Sequence, residues 1–182
     1  MRVERIGLTG KPRVGKSTLI KSLIKDLKAM GVSVGGMLTA DIRERGVRMG
    51  FSIEDISTGE RGILAHIRLH GSIRVGKYTL NLGDLGTLGA NSILNAVAYS
   101  NIVVIDEIGP MELKSKRFIE AVERAIASEK PMLVSVHRAS EHELVRRVKR
   151  EFDILEVTIA NRDEIATMVM DKLKACLIPH YS

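Results

Sequence analysis

Residues 10–17 read Gly-Lys-Pro-Arg-Val-Gly-Lys-Ser, and this octet constrains the fold more than any other stretch. It fits G-x-x-x-x-G-K-[ST], a phosphate-binding loop that requires a strand before it and a helix after it. Both are signalled. Residues 3–9 read as a short apolar strand, and Leu19, Ile20, Leu23, Ile24 and Leu27 recur at helical spacing. Glycines in such a loop let backbone N–H groups turn inward around phosphate oxygens with no Cβ in the way. The helix N-terminus adds partial positive charge. Lys16 is placed to reach the β- and γ-phosphates, and the Ser17 hydroxyl to ligate Mg²⁺. The expected nucleotide contacts are Gly10, Lys11, Pro12, Arg13, Val14, Gly15, Lys16, Ser17 and Thr18.

A loop of this kind needs an acidic partner strand. Ile102, Val103, Val104 and Ile105 form a continuous apolar run that ends in Asp106 and Glu107, as a strand buried on both faces and ending at a Mg²⁺ site would. Asp106 is the expected metal-holding acid, together with Ser17. Glu107, beside the γ-phosphate, is the expected catalytic group that polarises an attacking water. Residues 106–109 also fit D-x-x-G. A guanine-specific switch protein would carry N-K-x-D as well, and the nearest segment is Asn161-Arg162-Asp163-Glu164.

The remainder reads as one α/β domain spanning residues 1–182, without linker or repeat. Val47, Met49, Phe51 and Ile53 alternate with polar residues, and so do Ile63, Ala65, Ile67 and Leu69 across a turn at residues 58–62. This predicts an antiparallel hairpin. Residues 77–82 look like another strand. Gly83, Gly86 and Gly89 punctuate what reads as a mobile loop. From residue 91 onward, helical and apolar strand patterns alternate, which predicts a mainly parallel sheet covered on both faces, with the hairpin adding antiparallel strands at one edge.

Charge and composition narrow the partners. The net charge of +6 fits a nucleotide site with a solvated basic surface. With 3% aromatic residues, a base-stacking platform for nucleic acid is hard to build. No apolar run is long enough to span a membrane, and the N-terminal residues lack the pattern of a signal peptide. Cys176 is the only cysteine, so no internal disulfide forms and a cytoplasmic location is expected. Several arginines are candidates to neutralise developing charge: Arg13 in the loop, Arg43, Arg45 and Arg48 around the hairpin, and Arg138 after the strand at residues 131–136. Arg138 is the leading candidate by position, because open α/β sheets bind ligands at the C-terminal ends of their strands.

The chain resembles the cancer-related nucleoside-triphosphatase family, also called THEP-type NTPases. The resemblance runs over nearly the whole length. It rests most specifically on residues 106–113, Asp-Glu-Ile-Gly-Pro-Met-Glu-Leu, and also on residues 48–51, 58–60, 76–79, Thr158 and residues 161–163. The family's acid-x-Arg segment before the hairpin is here Asp41-Ile42-Arg43, with Asp where the family has Glu. The resemblance implies a RecA-like three-layer core and Mg²⁺-dependent hydrolysis of nucleoside triphosphates. It also implies slow turnover, loose base preference, and Glu107 as general base. It adds Asn161 and Arg162 to the expected nucleotide contacts. ATP, GTP, CTP and UTP are then the expected substrates, acted on by a monomer. Two alternatives stand beside this: a nucleoside, nucleotide or RNA-end kinase, and a nucleotide-gated interaction module.

Overall fold

The structure is a computed structural model, and it describes residues 3–178. Among these residues a nine-stranded sheet is sandwiched between two helical layers. Its strands are β1 (Arg5–Thr9), β2 (Val34–Glu44), β3 (Val47–Asp55), β4 (Arg61–His66), β5 (Arg74–Val75), β6 (Tyr78–Leu80), β7 (Ile102–Ile108), β8 (Met132–Val136) and β9 (Asp153–Glu156). The helices are α1 (Lys16–Ala29), α2 (Leu82–Asp84), α3 (Ala90–Tyr99), α4 (Lys116–Ala127), α5 (Glu143–Glu151) and α6 (Arg162–Leu177).

The spatial order is β5-β6-β4-β3-β2-β7-β8-β1-β9. From β2 to β9 every pairing is parallel, and from β2 outward to β5 every pairing is antiparallel. The expected RecA-like architecture, a parallel core extended by antiparallel strands, is the one found. Strand β8 lies between the loop strand β1 and the acid strand β7, so the two halves of the site are not sheet neighbours.

Alternation along β7 shows why these strands are apolar throughout. Ile102 and Val104 face the layer of α1 and α6, while Val103 and Ile105 face the layer of α3, α4 and α5. A strand covered on both faces needs apolar side chains at every position. The helices bury one stripe each, Leu19, Ile20, Leu23, Ile24 and Leu27 on α1 and Phe118, Ala121, Val122, Ala125 and Ile126 on α4.

Two local expectations differ from the structure. The segment around Gly83, Gly86 and Gly89 is helical rather than a mobile loop, running from α2 through a π-helical turn (Leu85–Gly89) into α3, the helix expected from residue 91 onward. The glycines there serve close packing. A Cβ on Gly89 would meet Met37 Sδ at 3.0 Å, and one on Gly86 would meet the Arg117 side chain at 3.4 Å. The Asn81 side chain caps the segment by accepting the Asp84 N–H at 3.0 Å. The second difference is in β4, which ends at His66 and breaks strict alternation. A register shift opposite Phe51 and Ser52 turns consecutive residues Leu64 and Ala65 into the core and leaves Ile63 and Ile67 at the surface.

Candidate active site

The loop joining β1 to α1 follows from its glycines. Gly10 has φ +151°, and a Cβ there would sit 2.5 Å from the Val157 carbonyl oxygen. Gly15 has φ +103° and forms the N-terminal boundary of α1, whose first backbone bond runs from Leu19 N–H to the Gly15 carbonyl at 2.9 Å. Arg13 also takes a positive φ, 67°, an uncommon conformation for a residue with a side chain. Val14 packs into the α1–α6 side of the core. Lys16 folds back over the loop, its Nζ donating to the carbonyls of Gly10 at 3.0 Å and Lys11 at 3.2 Å. These elements leave the backbone N–H groups at the start of α1 unpaired within the helix, as a phosphate cradle requires.

Asp106 and Glu107 are not terminal to β7 but lie within it, and the strand continues to Ile108. The β7–β8 register shifts between Ile105 and Ile108, and the Asp106–Glu107 peptide is cis. Asp106 is 2% exposed. Its Oδ1 accepts a hydrogen bond from the Ser135 hydroxyl on β8, and its Oδ2 is buried without a hydrogen-bond partner among the described residues. Burial pushes the Asp106 carboxyl above the ordinary aspartate range, against the pull of Ser135, Ser17, Lys16 and Lys21. Burial and the neighbouring Asp106 charge push Glu107 up as well, opposed by Lys16.

The residues present suit a hard divalent cation. An orphaned, buried carboxylate oxygen beside the Ser17 hydroxyl is an oxygen-donor set of the kind that would suit a hard cation such as Mg²⁺. Among the described residues no cluster of three or more His, Cys, Asp or Glu side chains forms a self-contained metal cage.

A cleft of about 450 Å³ opens over this centre, between the loop and the β2–β3 hairpin. Of the residues expected from sequence, Pro12, Arg13, Gly15, Lys16, Ser17, Thr18 and Glu107 line it. Thr39, Asp41, Arg48 and Phe51 form its other wall. Arg138 follows β8 at the C-terminal end of the parallel sheet, as expected, but it is exposed and lies outside this lining. Its Nε is 3.8 Å from Glu156 Oε1, and its carbonyl accepts from Lys149 Nζ at 2.8 Å. Asn161 shapes the turn into α6: its Oδ1 accepts the Thr158 N–H at 2.7 Å, and its Nδ2 donates to the Glu156 carbonyl at 2.9 Å. Arg162 lies against the loop, with Nη1 3.4 Å from where a Gly15 Cβ would stand.

Glu112 has no role assigned by residue type, although it sits in the signature at residues 106–113. It is 5% exposed, and its Oε2 accepts the Gly109 N–H at 3.2 Å. Burial raises it to about 8, and the charges of Glu107 and Asp106 add to the rise. Arg48 was one of three hairpin arginines in the sequence, and only the fold singles it out.

Comparisons with known proteins bear on the family and the fold. A family model described as NTPase matches residues 5–170. The nucleoside-triphosphatase THEP1 of Methanosarcina acetivorans is 47% identical over 169 residues, covering 92% of this chain and 95% of that protein. The nucleoside-triphosphatase THEP1 of Methanocaldococcus jannaschii is 39% identical over 173 residues, covering 95% and 99%. Among solved structures, THEP1 from the hyperthermophile Aquifex aeolicus superimposes with a TM-score of 0.82 at 27% identity, covering 96% of this chain and 99% of that one. A human cancer-related nucleoside triphosphatase superimposes with a TM-score of 0.81 at 31% identity, covering 95% and 98%.

Proposed function

Since the chain belongs to the NTPase family and is a nucleoside-triphosphatase, we propose that it transfers the γ-phosphoryl group of ATP, GTP, CTP or UTP to water in a Mg²⁺-dependent reaction. The observation that carries this reading is the convergence of Lys16, Ser17 and Glu107 on one cleft, with the orphaned Asp106 oxygen buried beside Ser17.

In this reading the loop's backbone N–H groups and the start of α1 hold the β- and γ-phosphates. Lys16 exchanges its two carbonyl partners for phosphate oxygens. Ser17 and Asp106 would hold Mg²⁺, which when bound neutralises charge on the β- and γ-phosphates. Glu107 accepts a hydrogen bond from a water in line with the γ-phosphorus and takes its proton as the bond to the leaving oxygen breaks. Burial and the Asp106 charge make its carboxylate a stronger base than an ordinary glutamate. The Asp106–Ser135 bond fixes the carboxylate from the intervening strand. Backbone contacts to phosphates ignore the base, so specificity among bases is loose, with ATP and GTP handled within about one order of magnitude. Arg162, whose guanidinium lies beside Gly15, would touch the nucleotide at the phosphate loop. The enzyme works as a cytoplasmic monomer.

A phosphate-release panel over the four triphosphates, with and without Mg²⁺ and with and without nucleoside or RNA acceptors, tests the reading. Release without an acceptor is expected. Labelled phosphate found only on an added acceptor would replace hydrolysis with a kinase activity.

A further inference from the structure

The cleft has a second cationic wall that the loop and the acid strand do not supply. On β2 and β3, Arg43 pairs with Arg48 across the hairpin. Both guanidiniums reach the same carboxylate oxygen, Asp41 Oδ2, at 2.7 Å for Arg43 and 3.0 Å for Arg48. Two cations on one carboxylate leave a surplus positive charge. Asp41 stays below the ordinary carboxylate range: partial burial works to raise it, and the two arginines outweigh that.

The two arginines are not equivalent. Arg43 spends a further donor on the Gly46 carbonyl at the hairpin tip, at 3.0 Å, and does not line the cleft. Arg48 lines it, together with Lys16 and Glu107. Its Cζ lies 5.2 Å from the Phe51 ring centroid, and Phe51 is braced edge-on by Tyr78 at 5.1 Å. The guanidinium is therefore oriented by an aromatic face and a carboxylate before any substrate arrives. Its Nε is buried and has no hydrogen-bond partner among the described residues, an unspent donor on a side chain that lines the same cleft as Lys16 and Glu107.

Resting on the phosphoryl-transfer reading above, we propose that Arg48 is the catalytic arginine of this site, donating to the γ-phosphoryl oxygens as the bond to the β-phosphate breaks, and that Asp41 is the positioning residue that aims it. Phosphoryl transfer leaves little covalent work for the protein, and a cation near the transferring group is where rate is gained. Arg138 is the competing source of charge. It is within 3.8 Å of Glu156 at the end of β9, and neither residue is among those lining the cleft.

The test separates binding from chemistry. Affinities for Mg²⁺-ADP alone and for Mg²⁺-ADP with fluoroaluminate, a mimic of the transferring phosphoryl group, are measured for wild type, Arg48→Ala, Arg48→Lys, Asp41→Asn and Arg138→Ala. Circular dichroism verifies folding. Wild type is expected to bind the fluoroaluminate complex more tightly than ADP alone. Arg48→Ala should lose at least about tenfold of that tightening and of kcat, with ADP affinity changed by less than about twofold. Arg48→Lys, a point charge without the planar fork, should recover only part, and remains informative if the alanine variant misfolds. Asp41→Asn should lower kcat by a smaller factor and leave KM nearly unchanged. Retention of full tightening in Arg48→Ala, or its loss in Arg138→Ala instead, overturns the assignment. A wild type that tightens on fluoroaluminate in an Arg48-dependent way yet releases no phosphate to water supports Arg48 and sinks the hydrolase reading alone.

Discussion

Glu107 and Glu112 converge on the α-carbon of Gly109: a methyl group built there would meet Glu107 Oε1 and Glu112 Oε2 at 3.2 Å each. One carboxyl is half-buried at the cleft, and the other is enclosed behind it. With Asp106 they place three acids within one short turn of chain, and the surroundings push all three upward.

The enclosed acid should make stability depend on pH. Glu112 is raised from 4.5 to about 8 in the folded protein. The folded state then binds a proton that the unfolded state has lost between those two values. Its contribution is fully present below about 4.5 and is lost as pH rises toward 8. Glu112→Gln, neutral at every pH, should remove that part of the slope. Urea unfolding at pH 5.5 and 8 should show wild type losing at least about 1 kcal/mol more than the variant over this interval. Identical slopes would mean that Glu112 is ionised in the fold.

Glu107→Gln should bind Mg²⁺-nucleotide about as well as wild type and hydrolyse it more slowly by roughly 10²–10⁴-fold. In wild type the rate should climb with pH through a value above the ordinary glutamate range, because the base acts deprotonated and its surroundings hold the proton on. Asp106→Asn should instead raise the Mg²⁺ requirement. A swap of the two phenotypes reverses the roles.

Lys16→Ala removes the ammonium that now bridges two loop carbonyls. Most turnover should disappear, and affinity should fall more for triphosphate than for diphosphate. Isothermal titration with ADP and a non-hydrolysable ATP analogue reads the difference; equal losses for both would place Lys16 away from the γ-phosphate.

Gly36→Ala should cost more than about 2 kcal/mol of stability. Gly36 pairs with Val104 on β7 and has φ +121°, and a Cβ would lie 1.9 Å from the Val104 carbonyl oxygen. The added methyl pushes β2 off the acid strand. Thermal unfolding that leaves the melting temperature within a degree of wild type would show that the two strands separate without penalty.

How much of this was legible depended on the range of the signal. Residues 10–17 and the apolar run before Asp106 are local patterns with a fixed chemical meaning, so the phosphate loop and its acid strand could be read directly. The parallel core followed from alternation of elements. Gly83, Gly86 and Gly89 misled, because glycine marks both a turn and a close approach, and only the positions of Met37 and Arg117 decide between them. Ala65 was read correctly, but Leu64 was missed and Ile63 and Ile67 were misread as inward, because a register shift depends on the partner strand. Arg48 and Arg138 show the same limit. Each is one basic residue among many, and what separates them is tertiary: Arg48 lines the cleft with Lys16 and Glu107, while Arg138 lies outside that lining beside Glu156.

Strand β2 has two kinds of neighbour along its length. Residues Val34, Gly35, Gly36, Met37 and Leu38 are buried and pair with β7, whereas the end at Glu44 meets only β3, in a hairpin whose tip carries Arg45 at φ 48° and a well-exposed Val47. One continuous strand therefore spans two regimes of local opening. Amides near the tip exchange with solvent through fraying of the hairpin alone, while those at the other end exchange only when the sheet comes apart. The boundary falls at Thr39 and Ala40, in the wall of the cleft. A low-energy fluctuation can thus change the width of the cleft while the phosphate loop and its acid strand keep their geometry.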